Sequence, residues 1–415
     1  MFNDYKALVY VYLNGGLSPW ASVVPLSGYS TYAARRGALA IPQGSALVLN
    51  GTASDGGMYG LNPNLSALHT RFNAGKVALI CNAGNLVQPT TLAQYNAGVS
   101  LPPQLFSHFE QTRLVQTGTG DAYDGFGWAG RLADYLAAQG LTQALPVNIN
   151  IGGNPTLQVG VDTSPYAVTA NGAISPRLHG GVFGGGPSTA ANALLANART
   201  ETNPITRTLG SVYDSAISKR DIYNSAVAAA GDVVTTFPGS QLGVQLRQVA
   251  RTIKARTQVN PPDGFGREIF FVQLGGFDSH DSEIANLPGL MAQFSTAVDV
   301  FLTEMTAQGV ANNVMVLEQS DFGRTLTSNG DGSDHGWGTF YFAAGGPVIG
   351  GYYGQMPSLA IGGPLDVGQG RYIPTTSIDQ IAATCAKWMG VPDSALNGIF
   401  PNLPNFATRD LGFLA

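Results

Sequence analysis

ALVYVYLNGG, residues Ala7–Gly16, is the stretch that decides the fold. Its first seven residues are apolar without polar alternation, which suits a strand buried on both faces. The run then breaks into Asn14-Gly15-Gly16-Leu17-Ser18, a polar, glycine-rich loop. Three further segments have the same form. VALIC (Val77–Cys81) continues through Asn82-Ala83-Gly84 to Pro89-Thr90-Thr91. EIFFVQL (Glu268–Leu274) runs into Gly275-Gly276-Phe277-Asp278-Ser279-His280-Asp281. NVMVLEQ (Asn313–Gln319) leads into Ser320-Asp321-Phe322-Gly323-Arg324 and on to Ser333-Asp334-His335-Gly336.

Helical periodicity lies between these runs. Leu65, Leu68 and Phe72 have helical spacing, and Ser107–Gln116, Trp128–Ala138 and Gln241–Ala255 read as helices. Leu290–Thr306 carries Met291, Phe294, Val298, Phe301, Leu302 and Met305 on one face. Further strands are expected at Val147–Ile151 and Thr339–Ala343, and a closing helix over Ser377–Met389. The alternation predicts an α/β fold over residues 1–415 as one domain, a mostly parallel sheet with helices on both faces. Residues 153–240, rich in Gly, Ala, Ser, Thr and Asn, read as an insertion or cap within it, with a helix over Thr208–Ala230.

Composition narrows the function. Charged residues are 11% of the chain, against about 25% in an average domain. Glycine is 54 of 415 residues, a balance more common in secreted than in cytosolic proteins. The apolar content of 44% supports a large core. A net charge of −5 and the lack of any Lys/Arg cluster exclude a nucleic-acid footprint. No apolar run approaches the roughly 18 residues of a membrane span, so no transmembrane helix is expected. No basic segment followed by an apolar leader opens the sequence, so the protein is cytosolic or has lost a signal. Cys81 and Cys385 read as buried free thiols, with one long-range disulfide as the alternative in an exported protein. Two cysteines cannot build a thiolate zinc site unaided.

In such sheets ligands bind at the carboxyl ends of the strands. Two of the five histidines, His280 and His335, stand in those loops near Asp278 and Asp334. Together they offer the O and N donors that zinc and similar divalent ions prefer. The competing reading makes the aspartates turn residues. Ser107-His108 opens a helix, where the positive end of the dipole suits a phosphate or sulfate; the plainer reading of Ser107 is an N-cap. Arg324 either clamps an anion or pairs with Asp321. His69 reads as structural, and His179, in the glycine-rich insertion, has no evident partner.

At these loops the chain resembles the exported bacterial proteins grouped as domain of unknown function 1501, a branch of the alkaline phosphatase and sulfatase superfamily. The residues that carry the resemblance are VYLNGG (Val11–Gly16), VVP (Val23–Pro25), LFSH (Leu105–His108), GWAGR (Gly127–Arg131), GGFDSH (Gly275–His280), SDFGR (Ser320–Arg324) and NGDGSDHGWG (Asn329–Gly338). They follow one another over nearly the whole chain. The resemblance implies export by the twin-arginine route with the signal removed, hence a periplasmic or extracellular location. It also implies an alkaline phosphatase-like fold and a hydrolase of phosphate or sulfate esters. Such a site uses divalent metal (zinc, manganese or calcium) and a nucleophile at a helix N-terminus, and acts on a small-molecule or glycan ester.

Carried across, Asp334 and His335 resemble ligands of the metal that activates the nucleophile, and Asp278 and His280 ligands of a second one. Ser107 resembles the nucleophile, with His108 a neighbouring ligand or base and Arg324 the holder of a non-bridging oxygen. Thr90 or Thr91 is the competing nucleophile. Family members commonly carry Asp where this chain has Ser18, a much weaker ligand, and no histidine follows His335. The site then binds one metal weakly, recruits His108 or Asn14, or binds none. Two function classes stay open: an exported metal-dependent ester hydrolase, and a non-catalytic envelope or extracellular protein that keeps the hydrolase fold to bind a glycan or a partner. A metal-free acyl hydrolase built on Ser107 ranks below both, since no Gly-x-Ser-x-Gly elbow occurs. The enzyme reading expects Asp278, His280, Asp334 and His335 to converge in one cluster, with Ser107 or His108 at its edge.

Overall fold

A computed structural model describes residues 2–121, 124–173 and 189–415. His179 and the Gly180–Gly186 run lie outside the described residues. Thirteen strands run through the rest: β1 (Tyr5–Asn14), β2 (Val23–Pro25), β3 (Leu47–Val48), β4 (Tyr59–Leu61), β5 (Val77–Gly84), β6 (Asn148–Asn150), β7 (Tyr166–Thr169), β8 (Gly172–Ala173), β9 (Gly266–Gly275), β10 (Val314–Ser320), β11 (Thr339–Gly345), β12 (Gly351–Gly354) and β13 (Thr376–Ser377). The main sheet has the order β12-β5-β11-β10-β1-β9-β6-β7-β8, with β13 also paired to β5. Strands β2, β4 and β3 make a small antiparallel sheet beside it.

β1 is the axis of the main sheet. It runs parallel to β10 over Ala7–Leu13 and to β9 over its whole length. Its side chains alternate between two cores. Ala7, Val9, Val11 and Leu13 face one, and Leu8, Tyr10 and Tyr12 the other. The helices Ser66–Asn73, Gln241–Lys254 and Glu283–Ala307 cover the first face, and Trp128–Ala138 and Ile378–Trp388 the second. An uninterrupted apolar run is what such a doubly covered strand needs. Cys81 and Cys385 are free and buried in opposite cores, so no disulfide joins them.

β11 is antiparallel to both β10 and β5, so β5 points the same way as β1. The carboxyl ends of β1, β5, β9 and β10 therefore emerge at one edge, and residues 321–338 fold over that edge before β11 returns. The helix expected over Leu290–Thr306 in fact begins at Glu283. Its first turn is fixed by a buried carboxylate, a polar anchor that apolar periodicity does not register. Residues 153–240 supply β7 and β8 at the sheet's far edge, and the helices Thr189–Thr200 and Pro204–Ala230. The longer helix starts with Pro204 in its first turn, and Asn203 caps it by accepting from Ile205 N at 2.9 Å. Among the described residues, no helix is long and apolar enough to cross a membrane.

Gly15 sets how closely the first and third loops approach. Its φ is +122°, and a Cβ there would lie 2.3 Å from the backbone nitrogen of Asp278. Only glycine meets both demands. Gly15→Ala is expected to destabilise the protein by about 2–4 kcal/mol, combining backbone strain and overpacking; a lowered urea midpoint checks this.

Candidate metal centre

The helix His108–Thr117 points its N-terminus at the sheet edge and ends at Gly118, whose φ of +62° supplies the left-handed cap. It enters from Phe106, a non-glycine residue at φ +72°. That strained turn aims the Phe106 carbonyl at His335, whose Nδ1–H donates to it at 2.6 Å. His335 is thereby fixed with Nε2 carrying the lone pair. On the first turn of the helix, His108 Nδ1–H donates to the fully buried Asp321 carboxylate at 2.6 Å. Its Nε2 is buried and makes no hydrogen bond.

The free ring nitrogens converge on Asp278. From Asp278 Oδ1, His108 Nε2 lies at 3.4 Å, His280 Nε2 at 3.4 Å and His335 Nε2 at 3.7 Å. His280 Nε2 and His335 Nε2 stand 2.7 Å apart. One ligand atom from each of these four residues lies within 4.8 Å of the others. Bonds of 2.0–2.1 Å to a tetrahedral zinc place neighbouring ligand atoms about 3.3 Å apart. Three of the spacings suit that, and the short imidazole pair needs a cation or a shared proton between its lone pairs. The orphaned His108 Nε2 is the clearest sign that the donor set fits a metal.

Charges around the cluster are balanced from behind. Burial pushes the Asp278 carboxyl up, but its hydrogen bond and ion pair with Arg324, helped by His108 and His280, hold it below the usual carboxylate range. The Asp321 hydrogen bond raises His108 against the opposing effect of burial. His335 is lowered, first by burial and then by the neighbouring cationic groups, against the Phe106 carbonyl. A neutral imidazole is the form that binds metal.

The residues singled out from sequence take different places. His108, Asp278, His280 and His335 form the cluster, so His108 stands where Asp334 was expected. Asp334 stands one step back, 3.6 Å from His280 Nδ1, and accepts from Asn329 at 3.0 Å. The 3.6 Å separation makes Asp334 an electrostatic neighbour of His280 and not its hydrogen-bond acceptor. Arg324 is no substrate clamp. Its side chain is fully buried, and four of its five N–H groups are spent on Gly16 O (2.9 Å), Gly15 O (2.7 Å), Ser333 O (2.6 Å) and Asp278. Its acidic partner is Asp278 and not Asp321. Ser107 is the N-cap residue but makes no side-chain capping bond. The rival hydroxyls are engaged: Thr91 closes a capping box with Gln94, and Thr90 donates to Gln88 O at 2.9 Å. His69 bonds Val48 O and Asn73, a structural role.

Ser18 explains itself. It is buried and turned toward Glu283, at 3.4 Å. The Glu283 carboxylate also accepts from Ser333 at 2.6 Å and Ser279 at 3.5 Å and pairs with buried Arg36. Ser279 lies between Asp278 and His280, and Ser333 precedes Asp334, so Glu283 ties both ligand loops to the first one. Asp321, Glu283 and Arg371 were not recognised as site residues from sequence. The first two act through partners hundreds of residues away, and Arg371 follows an edge strand whose loop carries no motif.

An α/β sheet with three imidazoles and a carboxylate gathered at its carboxyl edge defines the class of protein. The chain belongs to the family described as "Protein of unknown function (DUF1501)", whose sequence profile matches residues 65–400. No curated protein matches it in sequence. Similar solved structures include Ps i-CgsB in complex with k-i-k-neocarrahexaose, at 11% identity over 96% of this chain and 77% of that one, TM-score 0.37. Others are the PsFucS1 sulfatase from Pseudoalteromonas sp., 10% identical over 100% and 73%, TM-score 0.38, and the C-terminal periplasmic domain of EcEptC from Escherichia coli, 11% identical over 95% and 84%, TM-score 0.36. These are distant likenesses.

Two outcomes follow from the charges. With its folded value raised, protonated His108 stabilises the metal-free fold fully below about pH 6.5, and that contribution fades as pH climbs through the raised value. Asp321→Asn is expected to move the His108 titration, read by NMR of its ring protons, to lower pH. Glu283→Gln strands Arg36 in the interior without a counter-charge and is expected to cost about 3–5 kcal/mol in urea denaturation.

Proposed function

We propose that this protein is a divalent-metal-dependent hydrolase of phosphate or sulfate esters. The observation that carries the reading is the convergence of three imidazole nitrogens and Asp278 Oδ1, with His108 Nε2 buried and unpartnered. His108, Asp278, His280 and His335 hold the cation. Three nitrogen donors favour zinc over manganese and disfavour calcium, which takes oxygen ligands. When bound, such an ion supplies Lewis-acid polarisation of an ester oxygen and lowers the pKa of a hydroxyl beside it.

Ser107 is the nucleophile in this reading. Its hydroxyl is uncommitted, it directly precedes ligand His108, and it sits at the positive end of the helix His108–Thr117. Asp321 orients His108, Asp334 lies beside His280, and Arg324 sets the carboxylate of Asp278. The reading extends to an exported protein acting on a glycan-borne ester, supported by the low charge and high glycine content.

A non-catalytic binding protein is the second reading. It is favoured by Ser18, which faces Glu283 and leaves the first strand without a carboxylate toward the cluster. Elemental mass spectrometry separates the two. The enzyme reading expects near one zinc per chain after dialysis, lost in a His108→Ala, His335→Ala double variant. Ser107→Ala is expected to retain the zinc and lose roughly 10³-fold or more in ester turnover. No metal uptake by the parent protein sinks the hydrolase and leaves the binding protein.

A further inference from the structure

Beside the cluster opens a cleft of about 340 Å³ lined by Tyr95, Phe106, His280, Asp334, His335, Val367 and Arg371. Its lining is of two kinds. One is the His280 and His335 imidazoles with the Arg371 guanidinium. Arg371 is anchored by Nε–H donating to His335 O at 2.7 Å, and it lies over the Phe106 ring at 5.8 Å. Its Nη2 stands 3.8 Å from Asp334, beyond hydrogen-bonding distance, and has N–H groups to give. The rest of the lining is apolar and aromatic. Tyr95, Phe106 and Val367 are half-buried and rest on the core patch of Leu86, Trp337, Ile373 and Phe406. Tyr95 tilts against Trp337 at 6.2 Å, which fixes its ring. Its hydroxyl makes no hydrogen bond among the described residues.

A guanidinium with free donors beside a cation cluster recognises a tetrahedral anion. An aromatic wall with one phenolic hydroxyl does not. It recognises the flat, apolar face of a ring and a polar group on that ring's edge. A small alkyl ester would fill only the charged half and leave the aromatic half wet. The volume is near the lower limit for small-molecule sites, which suits one ring and not an extended chain.

We propose that this cleft is the leaving-group subsite, with Arg371 taking a non-bridging oxygen of the ester and Tyr95 and Phe106 packing on the ring of the alcohol. The substrate is then a phosphate or sulfate monoester of a ring-bearing alcohol. The proposal rests on the hydrolase reading above and adds the residues that choose the substrate.

Calorimetry on zinc-loaded Ser107→Ala protein, its zinc content measured first, tests it with methyl, phenyl and glucose 6-phosphates and the matching sulfates. At least one ring-bearing ester is expected to bind about tenfold more tightly than the methyl ester of the same anion. Tyr95→Ala is expected to erase that preference and leave methyl ester affinity unchanged, whereas Arg371→Gln weakens all esters of the bound series alike. Preference for phenyl identifies an aryl alcohol, and preference for glucose 6-phosphate or sulfate a sugar. Equal affinity for ring and methyl esters, or a ring preference that survives Tyr95→Ala, overturns the subsite while the metal centre stands. Failure to load zinc, or to bind any of the six esters, overturns the hydrolase reading and this proposal with it.

Discussion

The buried guanidinium of Arg324 is the contact on which the site depends. It reaches from the loop after β10 to two carbonyls of the loop after β1, to Ser333, and to Asp278 after β9. A buried guanidinium is costly unless nearly every donor is met, and one that is met holds its acceptors in a fixed fork. Three loops from distant parts of the chain are thereby locked into one register. The glycines at 15 and 16 exist for this geometry, since their positive φ values turn both carbonyls toward the same arginine.

Glu283 is the opposite charge doing the same task on the other side. Its carboxylate gathers three serine hydroxyls and Arg36 from four segments. Between these two buried hubs the clustered histidines and Asp278 have little freedom, which is the preorganisation a metal centre would require. Histidine orientation is set in the same manner. His335 is aimed by a backbone carbonyl and His108 by the Asp321 carboxylate, which leaves both Nε2 atoms facing inward. The departure at Ser18 thus has a structural meaning. A hydroxyl there joins the Glu283 network, and His108 is the fourth member of the cluster.

Much of the fold was legible in the amino-acid order. The apolar runs at Ala7–Leu13, Val77–Cys81, Glu268–Leu274 and Asn313–Gln319 all became strands of the main sheet, because a strand covered on both faces is apolar over most of its length. Trp128–Ala138 appeared as a helix with the bounds its periodicity set. Short edge strands such as β7 and β12 were not legible, since few residues of each are buried. The edge where the cluster lies followed from the parallel sheet, and His280 and His335 stood out because only five histidines occur in the chain, with Asp278 two residues before one of them.

By itself, then, the sequence determined an α/β sheet, the edge at which the polar loops gather, and most of the residues that cluster there, because strand burial and residue chemistry are local properties. Tertiary structure decided which donors share one centre. His108 joined Asp278, His280 and His335 in the cluster, Asp334 stood one step back, and Arg324 turned inward while Arg371 faced the cleft. These choices depend on β11 running backwards and carrying residues 321–338 over the sheet edge to meet the helix that starts at His108. Such a meeting is fixed by packing between segments more than 200 residues apart, and no spacing along the chain encodes it.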